Sequence, residues 1–403
     1  MRIGYIIWLE RLNSTILKTQ VIELLKKANS KDNNLSFEIV YFCSILDGIR
    51  FHENIRRIKN DLKTNNINMI IIPVFTIPKI IDLFFYKWYF AFYPLLISTF
   101  FLFLVSKVRK LKILHFRSYP IVYSGIFLKR VYKNLRVIFD TRSSFPEEGV
   151  RLKKWKEKSI SYRYWKVIES KAIEKSDATI VVNNCMRDTF AYKKINNIKV
   201  VPNNVDIDRF TFNREQRENL RNALNIGENT IVLVYNGSLF KDSWNDPENY
   251  LEIFEILKNM KIEYMVVFFT HQASDVKEYF GRMLPLESNY IVLDVKYEDM
   301  GNYLSIADVG INFMSEADYR LSIKTVEYIS IGLPLLTNTN MKALCQLIRK
   351  ERIGEIIGEE KENAVRKILN NIDYYKKNCN RIKDRYSTDH VSKKYCKIYN
   401  EIA

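Results

Sequence analysis

Short apolar runs rich in Val, Ile and Phe recur along this chain at strand length, and helical stretches separate many of them. The first half carries "RIGYIIW", "FEIVYFC", "MIIIPVF", "LKILHF", "LRVIFD", "ATIVVNN" and "IKVVPNN". Their apolar character is continuous rather than alternating, which predicts strands covered on both faces. Strands alternating with helices build βαβ units and hence a parallel sheet. After the polar, turn-rich segment "VPNNVDIDRFTFNREQ" the pattern starts again with "TIVLVYNGS", "YMVVFFTH", "NYIVLDV", "DVGINFM" and "LPLLTN". No short repeat or low-complexity tract interrupts either series.

Two such series predict an α/β chain of two doubly wound, Rossmann-like domains facing a cleft. Their expected bounds are 1–204 and 205–375. A charged, aromatic helical tail, 376–403, is expected to pack back on the first domain. A length of 403 residues fits two domains. Open α/β sheets bind ligands beyond the carboxyl ends of their strands, so the informative residues are those just after strands.

Composition narrows the partners. The chain has 63 Lys+Arg against 46 Asp+Glu, a formal net charge of +17. Such a surplus favours nucleic acid, an anionic membrane face or phosphorylated ligands. The chain is also rich in Lys, Asn and Ile, so a biased genome supplies a second explanation, and both stand at this point. The five cysteines, Cys43, Cys185, Cys345, Cys379 and Cys396, are scattered and lack CxxC spacing. That fits reduced thiols and argues against a disulfide framework or a zinc site. His52, His115, His271 and His390 show no metal-ligand spacing either, so no metal is expected. "MRIGYIIWLE" reads as a first strand rather than a signal peptide. The run Trp88 to Val105, "WYFAFYPLLISTFFLFLV", is long enough to span a bilayer. Pro94 interrupts it and Lys87 and Lys107 flank it. The favoured reading is a helix buried against a sheet or resting in a membrane interface.

The stretch "SIKTVEYISIGLPLL", Ser322 to Leu336, carries the chemistry. Ser322 reads as an N-cap, Ile323, Val326 and Ile329 as a core face, and Gly332 as a helix stop before Pro334. Lys324 then sits at the positive end of the helix, where an uncompensated cation costs roughly 0.3–1 kcal/mol. A bound diphosphate removes that penalty, because helix N-termini are anion sites. Glu327 lies about one turn further on the same face, and a carboxylate there accepts hydrogen bonds from both hydroxyls of a ribose. A solvated Lys–Glu pair on an ordinary helix is the competing reading of this stretch alone.

This stretch resembles the "S-x-K-x-x-E-Y-x-x-x-G-x-P" element of GT-B glycosyltransferases of glycosyltransferase family 4. Other stretches fall in that family's order. "MGNYLSIADVGINFM" resembles the helix and strand before the motif, and "ATIVVNNCMRDTF" the strand and helix closing the first domain. "IKVVPNNVDIDRF" resembles the Pro-Asn linker and "VYNGSLFKD" the glycine turn opening the second domain. "LHFRSYP" and "VIFDTRSSFPEE" resemble first-domain stretches of members that build surface polysaccharides. The resemblance implies an acceptor-side first domain and a nucleotide-sugar-binding second domain. It implies that Glu327 holds the donor ribose, that Lys324 and the amides near Thr325 face the diphosphate, and that Gly237 and Ser238 let backbone approach the phosphates. Lys241 adds charge there. On the acceptor side it implies catalytic roles for Asp140 and Arg142 and a place lining that side for His115, with a supporting hydrogen-bonding role as the competing reading of each and the favoured one for His115. Asp140 follows a strand where many members place a histidine beside the reacting sugar.

The sequence departs from the family at two points. Tyr319 stands where the first glutamate of a Glu-x7-Glu pair is usual, leaving Arg320, Asp318 or Glu316 for the donor sugar. "WLERLNST" lacks the paired glycines usual after the first strand. The implied function is transfer of a sugar from a nucleotide-diphosphate sugar to a cell-envelope glycan or lipid-linked acceptor, such as lipopolysaccharide or capsule. Retention of configuration, metal independence and the absence of any further cofactor follow from the resemblance. The expected place is cytoplasmic, peripheral on the inner face of an anionic membrane. The competing functions are a sugar-nucleotide epimerase of the same fold, and a non-catalytic basic protein binding membrane or nucleic acid. No nucleic-acid recognition motif is present, so nucleic acid is not an expected partner.

Overall fold

The computed structural model describes residues 1–12, 14–75, 92–190, 196–240, 245, 247–285 and 289–403. The chain divides into two compact units, Met1–Pro202 with Asp389–Ala403, and Asn203–Thr388.

The first unit is built on a parallel sheet of seven described strands. They are β1 (Arg2–Trp8), β2 (Ser36–Ser44), β3 (Asn68–Val74), β4 (Ile113–Arg117), β5 (Arg136–Asp140), β6 (Ala178–Val181) and β7 (Ile198–Val200). Their order is β3-β2-β1-β4-β5-β6-β7, so the winding reverses between β1 and β4. The run "RIGYIIW" shows why the strands are apolar throughout. Ile3, Tyr5 and Ile7 enter one core with the C-terminal helix Thr388–Ile402, while Ile6 and Trp8 enter a second core on the opposite face. Successive strand side chains alternate in face, so a sheet covered on both sides needs apolar residues at every position. The helix Phe92–Arg109 packs on the second face through Leu102.

The second unit repeats the plan with β8 (Ile231–Asn236), β9 (Tyr264–Phe269), β10 (Tyr290–Leu293), β11 (Val309–Asn312), β12 (Leu335–Asn338) and β13 (Gly354–Ile357). The order is β10-β9-β8-β11-β12-β13, all parallel, with its reversal between β8 and β11. The helix Ile323–Ile331 follows β11. Ser322 caps it by accepting the Thr325 N–H, and Gly332 ends it at φ 86°, a left-handed conformation that favours glycine.

The unit boundary falls between Pro202 and Asn203 rather than after residue 204. Asn203 Nδ2 donates to the Leu321 carbonyl and Asn204 Nδ2 to Thr388 Oγ1, which ties both asparagines to the second unit. The tail also divides later than residue 376. Helix Ile372–Ile382 stays with the second unit, where Cys379 Sγ donates to the Leu333 carbonyl and Ile382 is buried. Arg381 and Arg385 pair with Glu351 in the same unit. Only Asp389–Ala403 belongs to the first.

Candidate functional site

The winding reversal of the second sheet assembles the groups around Lys324. Strand β8 ends at Asn236 and the chain turns at Gly237, whose φ is 130°. A Cβ at Gly237 would lie 2.9 Å from Lys324 Nζ, so the absence of a side chain admits the lysine. Lys324, in the first turn of helix Ile323–Ile331, donates to Tyr235 Oη at 2.6 Å and lies 4.0 Å from that ring's centroid. Tyr235 Oη in turn donates to the Ser238 carbonyl at 2.8 Å. Burial pushes the Lys324 pKa down to about 7, against the opposing pull of Glu327. A half-buried ammonium at a helix N-terminus, beside an exposed glycine turn, favours an arriving anion.

Glu327, on the same helix, is buried. Its Oε2 accepts from Asn236 Nδ2 at 2.8 Å, and the Tyr297 phenol also hydrogen-bonds the carboxylate. Burial raises its pKa, while the Asn236 and Tyr297 hydrogen bonds and the Lys324 and Arg209 charges pull it back. Arg209 stacks over Tyr297 at 5.4 Å. Asn236 Oδ1 and Asn312 Oδ1, at the ends of the adjacent strands β8 and β11, are buried and find no hydrogen-bond partner among the described residues. Buried polar atoms left open in this way at a strand end are suited to a ligand or water donor.

Lys324, Glu327, Gly237 and Ser238, each singled out in the sequence, therefore lie close together. Thr325 does not expose a free amide. Its N–H is taken by Ser322 Oγ and its side chain is fully buried, because the capping serine claims the third amide of the turn. Arg320 is held by Asp318 through Nε at 3.0 Å and Nη2 at 2.9 Å. Asp318 is itself buried, so the pair forms a bidentate fork. Lys241 lies outside the described residues. The residues that sequence reasoning missed are Tyr235, Asn236, Tyr297 and Arg209. Asn236 carried a signal: a polar residue ending an apolar strand just before a glycine turn.

In the first unit His115, Asp140 and Arg142 also meet, but not as groups open to a substrate. Asp140 and His115 are fully buried. Asp140 Oδ2 accepts from Tyr395 Oη at 3.0 Å, lies 3.4 Å from His115 Nε2 and 3.5 Å from Arg142 Nη1. His115 Nδ1 pairs with Tyr399 Oη at 2.7 Å. Burial alone would raise the Asp140 pKa, but Arg142, His115 and Arg117 hold it down to about 2. Burial lowers that of His115 against the pull of Asp140. The sequence reading gave Asp140 and Arg142 catalytic parts and His115 a place on the acceptor side, with supporting hydrogen bonds as the alternative for each. The C-terminal helix covers both, and the contacts they make are with one another, with Tyr395 and Tyr399 of that helix and, for Asp140, with Arg142. Arg142 keeps a partly exposed side chain, at φ 55°, and donates to Gln20 Oε1.

No protein-family model matches the sequence, and no curated protein matches it significantly. The fold has clear counterparts. A glycosyltransferase from Rickettsia africae superposes with a TM-score of 0.69 at 14% identity, spanning 100% of this chain and 98% of that one. HepE from Anabaena, in complex with UDP, gives 0.70 at 12% identity over 100% of both chains. WaaG, a glycosyltransferase involved in lipopolysaccharide biosynthesis, gives 0.61 at 13% identity over 98% of this chain and 99% of its own. Two parallel, doubly wound sheets with these counterparts give this chain the GT-B glycosyltransferase fold.

Proposed function

We infer that the chain is a glycosyltransferase that takes a sugar from a nucleoside-diphosphate sugar and passes it to a cell-envelope glycan or lipid-linked acceptor. The observation that carries this is the pairing of Lys324 with the exposed Gly237 turn, one helical turn from Glu327. A diphosphate at the turn meets the ammonium and the helix N-terminus, and the remaining Glu327 lone pairs accept from the ribose hydroxyls. UDP is the first donor nucleotide to test, because HepE is seen in complex with UDP and with UDP-glucose.

In the reaction the bond from the anomeric carbon to the diphosphate oxygen breaks, an acceptor hydroxyl oxygen forms its replacement, and the hydroxyl proton passes to the leaving diphosphate. Negative charge grows on the leaving diphosphate. Lys324 and the helix N-terminus stabilise it without a resident metal ion. Attack on the face of departure, with retention, is the stereochemistry this reading expects. Arg142, of the first-unit trio the group that reaches solvent, is the side chain to assign to the acceptor. Envelope glycan as acceptor class draws support from WaaG, whose biosynthetic role is in lipopolysaccharide.

Thermal denaturation in the presence of UDP, GDP and their sugars tests the reading, since a ligand of the folded state raises the melting temperature. UDP or a UDP-sugar is expected to stabilise the parent, and Glu327→Ala is expected to stay folded and lose most of that shift. A chain indifferent to every nucleotide would overturn the donor assignment. An alanine variant that responds as the parent does would overturn the role of Glu327.

A further inference from the structure

The helix Phe92–Arg109 is turned inside out. Its buried positions, Pro94, Ser98, Leu102 and Ser106, recur every four residues, and two of the four are serines. Five of its exposed positions, Phe92, Leu96, Phe100, Leu104 and Val108, recur at the same interval and are large and apolar, with Lys107 exposed beside the last of them. Leu96 is 71% exposed and Val108 76%. A surface helix in water places these classes the other way round. The serines permit a close approach: Ser98 Oγ lies 2.6 Å from Ser124 Oγ of the helix Val122–Val131, next to Gly125. That second helix leaves Phe127 and Val131 exposed as well.

This helix is the right length to cross a bilayer, but its connections forbid it. It is the crossover between β3 and β4, two parallel strands of one sheet. Tyr93 Oη donates to the Phe75 carbonyl just past β3, and Arg2 Nη1 donates to the Arg109 carbonyl beside β1. Both ends are fixed to the same sheet, so the apolar surface can only lie on a membrane, not through it.

Charge selects the partner. Between Phe92 and Phe139 the sequence contains no Asp or Glu. Lys107, Lys110, Arg130 and Lys133 are exposed on or just beyond these two helices. Lysines and arginines fringing an apolar face suit anionic headgroups around acyl chains. A second copy of the chain would bring the same cations against one another. We propose that the helices Phe92–Arg109 and Val122–Val131 form a docking face for an anionic lipid bilayer. The exposed Phe, Leu and Val side chains enter the headgroup–acyl boundary, and the four cations meet lipid phosphates.

This face is independent of the donor site, and its test uses no nucleotide. The full chain is floated with phosphatidylcholine vesicles, with and without one quarter phosphatidylglycerol. The parent is expected to float with the anionic vesicles. Leu96→Ser with Phe100→Ser is expected to lose at least tenfold in affinity with an unchanged melting temperature. Neutralising Lys107, Lys110, Arg130 and Lys133 to Gln is expected to abolish the preference for phosphatidylglycerol. Three results would overturn the proposal: a parent that floats with neither vesicle, a serine variant that floats as the parent does, or a serine variant that melts early. Sedimentation of the same proteins adds a fourth: a dimer that the serine variant splits, in a parent that ignores lipid.

Discussion

In the proposed donor site, Lys324 is the residue that ties the stability of the fold to the arrival of a diphosphate. Its pKa is lowered from 10.5 to about 7, chiefly by burial. Below pH 7 the ammonium is charged in the folded and the unfolded chain alike, and the burial penalty is present in full. Between pH 7 and 10.5 the folded protein releases the proton first, so stability rises with pH until both states are neutral. A bound diphosphate restores the charge and must draw a proton in. UDP affinity is therefore expected to fall above pH 7, by up to about tenfold per pH unit for one linked proton. Calorimetric titration in buffers of different ionisation enthalpy reads that proton directly. In Lys324→Met both pH dependences should vanish, and their survival would place the proton elsewhere. Tyr235 belongs to the same unit of behaviour, since its hydroxyl and ring are what Lys324 rests against.

At the level of the element, the helix Thr388–Ile402 acts on a strand end far away in sequence. Tyr395 donates to Asp140 and Tyr399 pairs with His115, so two phenols of one helix hold the end of β5 and the middle of β4. Asp140 Oδ1 already lacks a hydrogen-bond partner among the described residues. Removing the Tyr395 hydroxyl leaves its other oxygen short of a donor in a buried site, a loss of ~1–3 kcal/mol. Tyr395→Phe is expected to lower stability by that amount in urea denaturation. A change within ±0.5 kcal/mol, the usual scatter of surface substitutions, would show that Arg142 and His115 suffice for the carboxylate.

For the molecule as a whole, the two cores have different dependencies. Among the described residues one core cluster of the second unit runs from Leu233 to Tyr375 and the unit's other buried residues stay within Asn203–Thr388, whereas the first unit's core takes in Val391, Tyr395, Ile398 and Tyr399 from the chain's far end. Deleting residues 389–403 strips these from Ile3, Tyr5 and Phe37. Scanning calorimetry of the shortened chain is expected to keep a cooperative transition for the second unit and lose that of the first. Two intact transitions would mean that the returning helix adds little to the first core.

The sequence by itself determined the sheets. A run such as "RIGYIIW" is apolar at every position because both faces are covered, and that requirement is written locally, residue by residue. It also determined the helix Ile323–Ile331, since Ser322 and Gly332 set its ends through short-range hydrogen bonds and a left-handed turn. Lys324 and Glu327 were legible for the same reason, three residues apart on one helix. Tertiary structure alone decided the rest. Asp140 looks like an open strand-end carboxylate until a helix that begins 248 positions later, at Thr388, covers it. Tyr235 and Tyr297 read as core aromatics until the fold sets them against Lys324 and Glu327. The run around Phe92–Arg109 is apolar all round, so its periodicity does not say which side faces the protein. The close packing of Ser98 on Ser124 decides that, and it turns the large side chains outward.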